Sequence, residues 1–217
     1  MITDNVKRIL AEIPREVTLV AAGKGRTVDE VAQAIRAGIT AIGENYVQEA
    51  QAKFAAVSGQ ARYHLIGHLQ KNKVKAAAKL FDTIETLDSL ELAALLDKEC
   101  AKLGKTLEVL IEVNAAGEPQ KHGVFPEDVE DFAAQAGGEF KNLKISGLMT
   151  MGPVLDSPEK MRPFFRLTRE LFQVVAKEQA GALSWKYLSM GMSDSYKIAI
   201  EEGANIVRVG TAIFGPR

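Results

Sequence analysis

Along the 217 residues of this chain, short apolar runs rich in β-branched residues alternate with longer stretches whose apolar positions recur every three or four residues. The short runs have the length and composition of buried strands. Eight are found, at 18–22, 40–43, 63–66, 81–86, 107–113, 143–148, 186–189 and 206–209. Helical periodicity fills the intervals. Thr27 and Glu30 have the spacing of a capping box, Val28, Val31, Ala32 and Ile35 form one apolar face, and Gly38 stops the helix. Asp88 and Glu91 repeat that spacing ahead of Leu92, Leu95, Leu96 and Leu103, with Gly104 as the stop. Ser157 and Pro158 read as the N-cap and first residue of a helix running towards Gly181, with Pro163 within its first turns.

Strand and helix alternate with no linker, composition shift or low-complexity segment, the pattern of one α/β domain over residues 1–217 with a parallel sheet. About eight repeats point to a closed (β/α)8 TIM barrel, for which about 250 residues is usual. A doubly wound sheet would need G-x-G-x-x-G after the first strand, and "AAGKGRT" does not supply it. Nor is this a P-loop, since Thr18 and Gly25 stand where the Walker pattern needs glycine and a hydroxyl.

Composition narrows the partners. With 27 basic and 28 acidic residues the net charge is -1, which gives no electrostatic footprint for nucleic acid or an anionic membrane. No run reaches the roughly 20 apolar residues of a membrane span, and the amphipathic start "MITDNVKRILAEI" is no signal peptide. The expectation is a cytoplasmic protein with a small-molecule partner. Cys100 is the single cysteine, excludes an internal disulfide, and lies in a helical stripe as a small buried hydrophobe. His64 reads as a satisfied core or rim histidine. With His68 and His122 it is too dispersed to make a metal site.

In a barrel the residues that follow each strand meet at one rim, where such folds place their sites. Lys24 follows the first strand, between Gly23 and Gly25. Glu44 and Asn45 follow the second, Gly67 and His68 the third, Asn114 the fifth, Met149 and Thr150 the sixth. "MGMSDS" follows the seventh strand and "GTAIFG" the eighth. Ser193, read as opening a helix at "SDSYKIAIEEG", and Gly210 with Thr211 offer backbone N–H groups and hydroxyls suited to a phosphate, in the two loops where this fold often binds one. A lysine opposite a phosphate site suits an aldehyde-bearing phosphate held as a Schiff base, because a desolvated strand end favours the neutral, nucleophilic amine. Pyridoxal 5'-phosphate has that chemistry, and the flanking glycines would let a flat ring approach the backbone.

Six ordered blocks, "LVAAGK" at 19–24, "IGENYVQE" at 42–49, "HLIGHLQKNK" at 64–73, "ISGLMTM" at 145–151, "LSMGMSDSY" at 188–196 and "VRVGTAIFG" at 207–215, resemble the pyridoxal phosphate homeostasis proteins. These are the proline synthetase co-transcribed homologues, single-domain relatives of the alanine racemase N-terminal barrel. The resemblance implies an aldimine on Lys24 and phosphate contacts from Ser193, Gly210 and Thr211. It also implies Asn45 near the polar edge of the ring, Arg208 close to the pyridine nitrogen, and Met190 in the matching loop. The family usually carries serine before this lysine and threonine then lysine after it, whereas Gly23, Gly25 and Arg26 stand here. Arg26 cannot replace a second lysine as an amine nucleophile. The roles of Arg26, Lys121 and His68 stay open.

The resemblance implies a protein that buffers the cofactor or delivers it to apo-enzymes, with little or no catalytic turnover. The alternative is an amino-acid racemase, but racemases of this type add a β domain, and the chain ends six residues beyond Thr211. That favours the carrier and a monomer. A phosphosugar aldolase would carry its lysine on a later strand.

Overall fold

The computed structural model describes residues 1–57, 59–153, 155–178 and 185–216. Helix α1 (Ile2–Glu12) precedes β1 (Thr18–Ala22), and the chain then alternates through α2 (Val28–Arg36), β2 (Ala41–Glu44), α3 (Val47–Val57), β3 (Arg62–Leu65), α4 (Val74–Leu80) and β4 (Thr83–Leu87). It continues through α5 (Leu90–Leu103), β5 (Leu107–Glu112), α6 (Val129–Glu139), β6 (Leu143–Met149), α7 (Arg162–Glu178), β7 (Tyr187–Ser189), α8 (Tyr196–Glu201), β8 (Ile206–Val209) and α9 (Thr211–Phe214). The strands pair in parallel in sequence order, and β8 returns to β1 with Ala21 opposite Val209, closing the barrel.

Strand pleating separates two cores. Side chains such as Leu19, Ala21, Ile42, Leu65, Ile84, Ile111 and Val207 belong to the large cluster shared with the helices, while Val20, Ala41, Ile66, Leu110, Met149 and Ile206 form the small apolar cluster of the barrel interior. The inner face is otherwise polar. His64, Thr83, Glu85, Glu112, Ser189 and Arg208 are all buried, so charges that could not remain unpaired at low dielectric must find one another there.

Local signals were mostly legible. Thr27 accepts from the Glu30 N–H at 3.2 Å while Glu30 accepts from the Thr27 N–H at 2.8 Å, the expected capping box. Gly104 ends α5 in the left-handed region, with φ 61°. Strands β1 and β8 have the expected bounds, and the other six differ by one to two residues at their ends. Cys100 is buried.

Two helix starts need correction. Helix α5 is capped by Ser89, whose hydroxyl accepts from the Leu92 N–H at 3.3 Å, and Asp88 faces His68 across the rim instead. The start before α7 is as expected, with Ser157 the N-cap and Pro158 the first residue of a short 3-10 turn, Pro158–Met161, that leads into the α-helix, although Ser157 makes no side-chain cap bond; Pro163 is the second residue of α7. The expected end at Gly181 lies outside the described residues. Ser193 opens no helix: α8 starts at Tyr196 after Ser195. Among the described residues no helix is long and apolar enough to cross a membrane.

The α5 start yields a test. Ser89→Ala should lower unfolding free energy by about 1 kcal/mol in urea denaturation, and Asp88→Ala by clearly less; the reverse order would restore Asp88 as the cap.

Candidate functional site

Lys24 occupies the second position of a tight turn. The Arg26 N–H donates to the Gly23 carbonyl at 3.0 Å and Gly25 has φ 68°, as the third residue of a type II turn requires. The turn is clamped from β2 and α3. Lys53 Nζ donates to the Gly23 carbonyl at 2.6 Å and to Glu44 Oε1 at 2.8 Å, and Glu49 Oε2 accepts from the Gly25 N–H at 3.0 Å. Glu44 is fully buried, and burial pushes its carboxyl above the usual range although Lys53 opposes this. Glycine at 23 follows directly, because a Cβ there would lie 2.6 Å from Glu44 Oε1. Lys24 itself is half-buried, its ammonium 5.3 Å from the Tyr46 ring centroid, a cation–π distance.

Arg26 has a structural role. Its guanidinium donates to the Gly215 carbonyl, pairs with Glu30 at 3.4 Å and lies over the Phe214 ring, tying the Lys24 loop to the segment after β8.

Beside that loop, the Gly210 and Ala212 N–H groups both donate to Ser193 Oγ at 3.2 Å. Two amides thus converge on one oxygen position, next to an exposed Thr211. A Cβ on Gly210 would lie 3.5 Å from Ala22 Cβ, at the end of β1. Lys24, Ser193, Gly210 and Thr211 therefore share one sector of the rim. Met190 is fully buried and packs in the core.

Arg208 is reached from beneath. It is 3 % exposed, with Nη1 donating to Ser189 Oγ at 2.5 Å and Nη2 to the Thr150 carbonyl at 2.8 Å. Ser189 in turn donates to Glu85 Oε2 at 2.6 Å, and His64 Nδ1 lies 2.6 Å from Glu85 Oε1. Burial alone would push the Glu85 carboxyl up, but His64, Arg208 and Ser189 hold it below the usual carboxylate range. Glu85 is thus ionised and can only accept, so Nδ1 carries the His64 proton. Burial lowers the Arg208 pKa, opposed by the charges of Glu85 and Glu112, and a guanidinium remains charged regardless. His64 is the satisfied core histidine its position suggested. Among the described residues, no protein acceptor bonds Arg208 Nε.

A cavity of about 450 Å³ opens on the same rim, its lining including Asn45, His68, Glu112, Asn114, Lys121, His122, Met192 and Ser195. Lys121 pairs with Glu118 and faces the Gly152 carbonyl. Gly67 must be glycine here, since a Cβ would fall 2.4 Å from the Asn45 carbonyl oxygen. Glu112 is 8 % exposed, and burial, reinforced by the charge of Asp88, pushes its carboxyl up to about 7. The reading of dispersed histidines needs correction at this point. His68 and His122 stack at 3.5 Å, with Asp88 Oδ2 at 3.2 Å and 3.7 Å from their Nδ1 atoms, because loops from consecutive strands meet at the rim. Lys53, Glu49, Glu85, Ser189 and Glu112 were not anticipated.

The alanine racemase N-terminal domain family matches residues 1–217. The pyridoxal phosphate homeostasis protein of Aquifex aeolicus is 41% identical over 200 residues, 92% of this chain and 86% of that one. The chain belongs to the pyridoxal phosphate homeostasis protein family. Among solved structures, PipY of Synechococcus elongatus without pyridoxal phosphate superposes with a TM-score of 0.93 at 33% identity, over 99% of this chain and all of PipY. PipY with pyridoxal phosphate bound gives 0.90 at 31% identity, with the same coverage.

The raised Glu112 pKa fixes a pH dependence. A carboxyl whose folded pKa lies near 7 and whose unfolded pKa lies near 4.5 contributes stability that is fully present below about pH 4.5 and lost as pH rises through about 7, at most about 3 kcal/mol. Glu112→Gln should remove that component from the pH profile of urea unfolding. An unchanged profile would show that Glu112 titrates normally.

Proposed function

We propose that this chain binds pyridoxal 5'-phosphate at the rim between β1, β7 and β8, with Lys24 as the covalent attachment point, and that it holds and hands on the cofactor with little turnover. The observation that carries the reading is the convergence, on one rim, of the Lys24 turn, the paired Gly210 and Ala212 amides and the buried Arg208. Family membership supports it.

The donor set fits the group. Two amides already hold an oxygen between β7 and β8, so a phosphate oxygen takes that position while the Ser193 hydroxyl turns to donate and Thr211 adds a second hydroxyl. Gly25 is exposed beside Lys24, whereas Gly23 is buried against Glu44, so of the two flanking glycines Gly25 is the one that leaves room for a ring. Asn45 lines the cavity next in sequence to Tyr46, whose ring faces the Lys24 ammonium, and the Arg208 Nε is the donor that guanidinium has left for a ring nitrogen. Met190 contributes by packing beneath the loop. When bound, the cofactor supplies an aldehyde and an electron-accepting ring. The protein decides how strong that acceptor is, because a permanently charged guanidinium facing the nitrogen keeps it unprotonated, and carbanion chemistry needs the protonated ring.

The expected setting is one domain over 1–217, monomeric and cytoplasmic, passing cofactor to apo-enzymes. The amino-acid racemase reading has one observation in its favour. Glu112, a buried carboxyl titrating near neutrality beside the cavity, has the properties of a general acid or base.

Borohydride reduction of the loaded protein followed by peptide mapping should place the cofactor on Lys24, and Lys24→Ala should lose the label while keeping its fold. A label on another lysine would remove the assignment. Incubated with single amino-acid enantiomers in deuterated water, the loaded protein should leave the α-proton in place; exchange at about 1–1000 per second, abolished by Glu112→Gln, would establish the racemase instead.

A further inference from the structure

We propose that His68, Asp88 and His122 form a binding site for one divalent transition-metal ion on the opposite side of the rim from Lys24. The three follow β3, β4 and β5 in turn, so the barrel brings together residues that sequence spacing separates. One ligating atom from each lies within 4.8 Å of the other two. The Asp88 Oδ2 to histidine Nδ1 separations are 3.2 Å and 3.7 Å. In a tetrahedral zinc site with bonds of about 2.0–2.1 Å, neighbouring ligand atoms lie about 3.3 Å apart. Two edges of the polyhedron are therefore close to the spacing required. The third edge closes by rotation of the imidazoles, which stack at 3.5 Å with 9° between planes and are 38% and 56% exposed. That rotation turns their in-plane lone pairs onto a common point.

A second observation points to a cation at this place. Glu112 is buried and lines the same cavity as His68 and His122. Its Oε2 has no hydrogen-bond partner among the described residues. A carboxylate oxygen buried without a donor is costly unless positive charge or a proton reaches it. Lys121, on the same cavity, is paired with Glu118, and the Arg208 charge offsets only part of the cost of ionising this carboxyl. Two imidazole nitrogens and one carboxylate oxygen favour zinc, nickel or cobalt over magnesium or calcium. Three protein ligands leave a coordination position for water or a ligand atom, as open zinc sites do.

The test uses untagged full-length protein, stripped with chelator and free of cofactor. Titration with Co²⁺, followed by visible absorption, and with Zn²⁺, followed by calorimetry, should show one ion per chain. Asp88→Asn should weaken binding by about 100-fold, His68→Ala with His122→Ala should abolish it, and Lys24→Ala should leave it unchanged, which separates this site from the cofactor site. Should a variant fail to fold, Zn²⁺ protection of His68 and His122 from diethylpyrocarbonate in the unsubstituted protein gives the same answer by mass spectrometry. Absence of stoichiometric binding, equal affinity in the double-histidine variant, or no protection would overturn the proposal.

Discussion

One chain of buried polar contacts, with the charges of Glu85 and Arg208 within it, runs across the inside of this barrel from His64 on β3 through Glu85 on β4 and Ser189 on β7 to Arg208 on β8, with successive contacts of 2.6, 2.6 and 2.5 Å. Glu85 and Arg208 would each be expensive to bury alone; Ser189 bridges them and His64 bonds the other Glu85 oxygen, so the buried charges are tolerable only with their partners in place. Removing Glu85 or Arg208 leaves the charge of the other uncompensated at the centre of the fold. The relay therefore joins both halves of the barrel and fixes where the guanidinium stands.

That position divides the rim by chemistry. On the β1, β7 and β8 side, converging amides, hydroxyls and Lys24 offer donors and an amine. On the β3, β4 and β5 side, Asp88, Glu112, His68 and His122 offer acceptors and metal-type ligands. Arg208 lies beneath both, held by Ser189 and the Thr150 carbonyl, and its charge offsets part of the cost of ionising Glu112. On the proposed reading, a cofactor held on the donor side would meet a fixed cation, which would suit retention and release better than carbanion chemistry.

The barrel was legible because its strands are short apolar runs at regular spacing, and the rim sector around Lys24 because glycine, serine and threonine stand after strands one, seven and eight. The partners of those residues were not. Glu49 and Lys53 stand one helical turn apart on α3 with no local signal of a distant partner, yet both reach back to the Lys24 turn. Glu85 and Arg208 each place a charge in an apolar strand, which signals that a partner exists without naming it, since strand order alone does not say which inward positions share a layer. Asp88 shows the converse: the capping-box spacing with Glu91 was real in sequence, but the next residue, Ser89, took the cap and left the carboxylate for the rim.

The central claim is that the relay keeps a permanent positive charge against the ring of a bound pyridoxal phosphate. It is tested most directly by the ¹⁵N chemical shift of the ring nitrogen in protein loaded with labelled cofactor, followed across the neutral pH range. The account predicts an unprotonated nitrogen throughout, with protonation at neutral pH appearing when Arg208 is replaced by glutamate. A protonated nitrogen in the unsubstituted protein would contradict it.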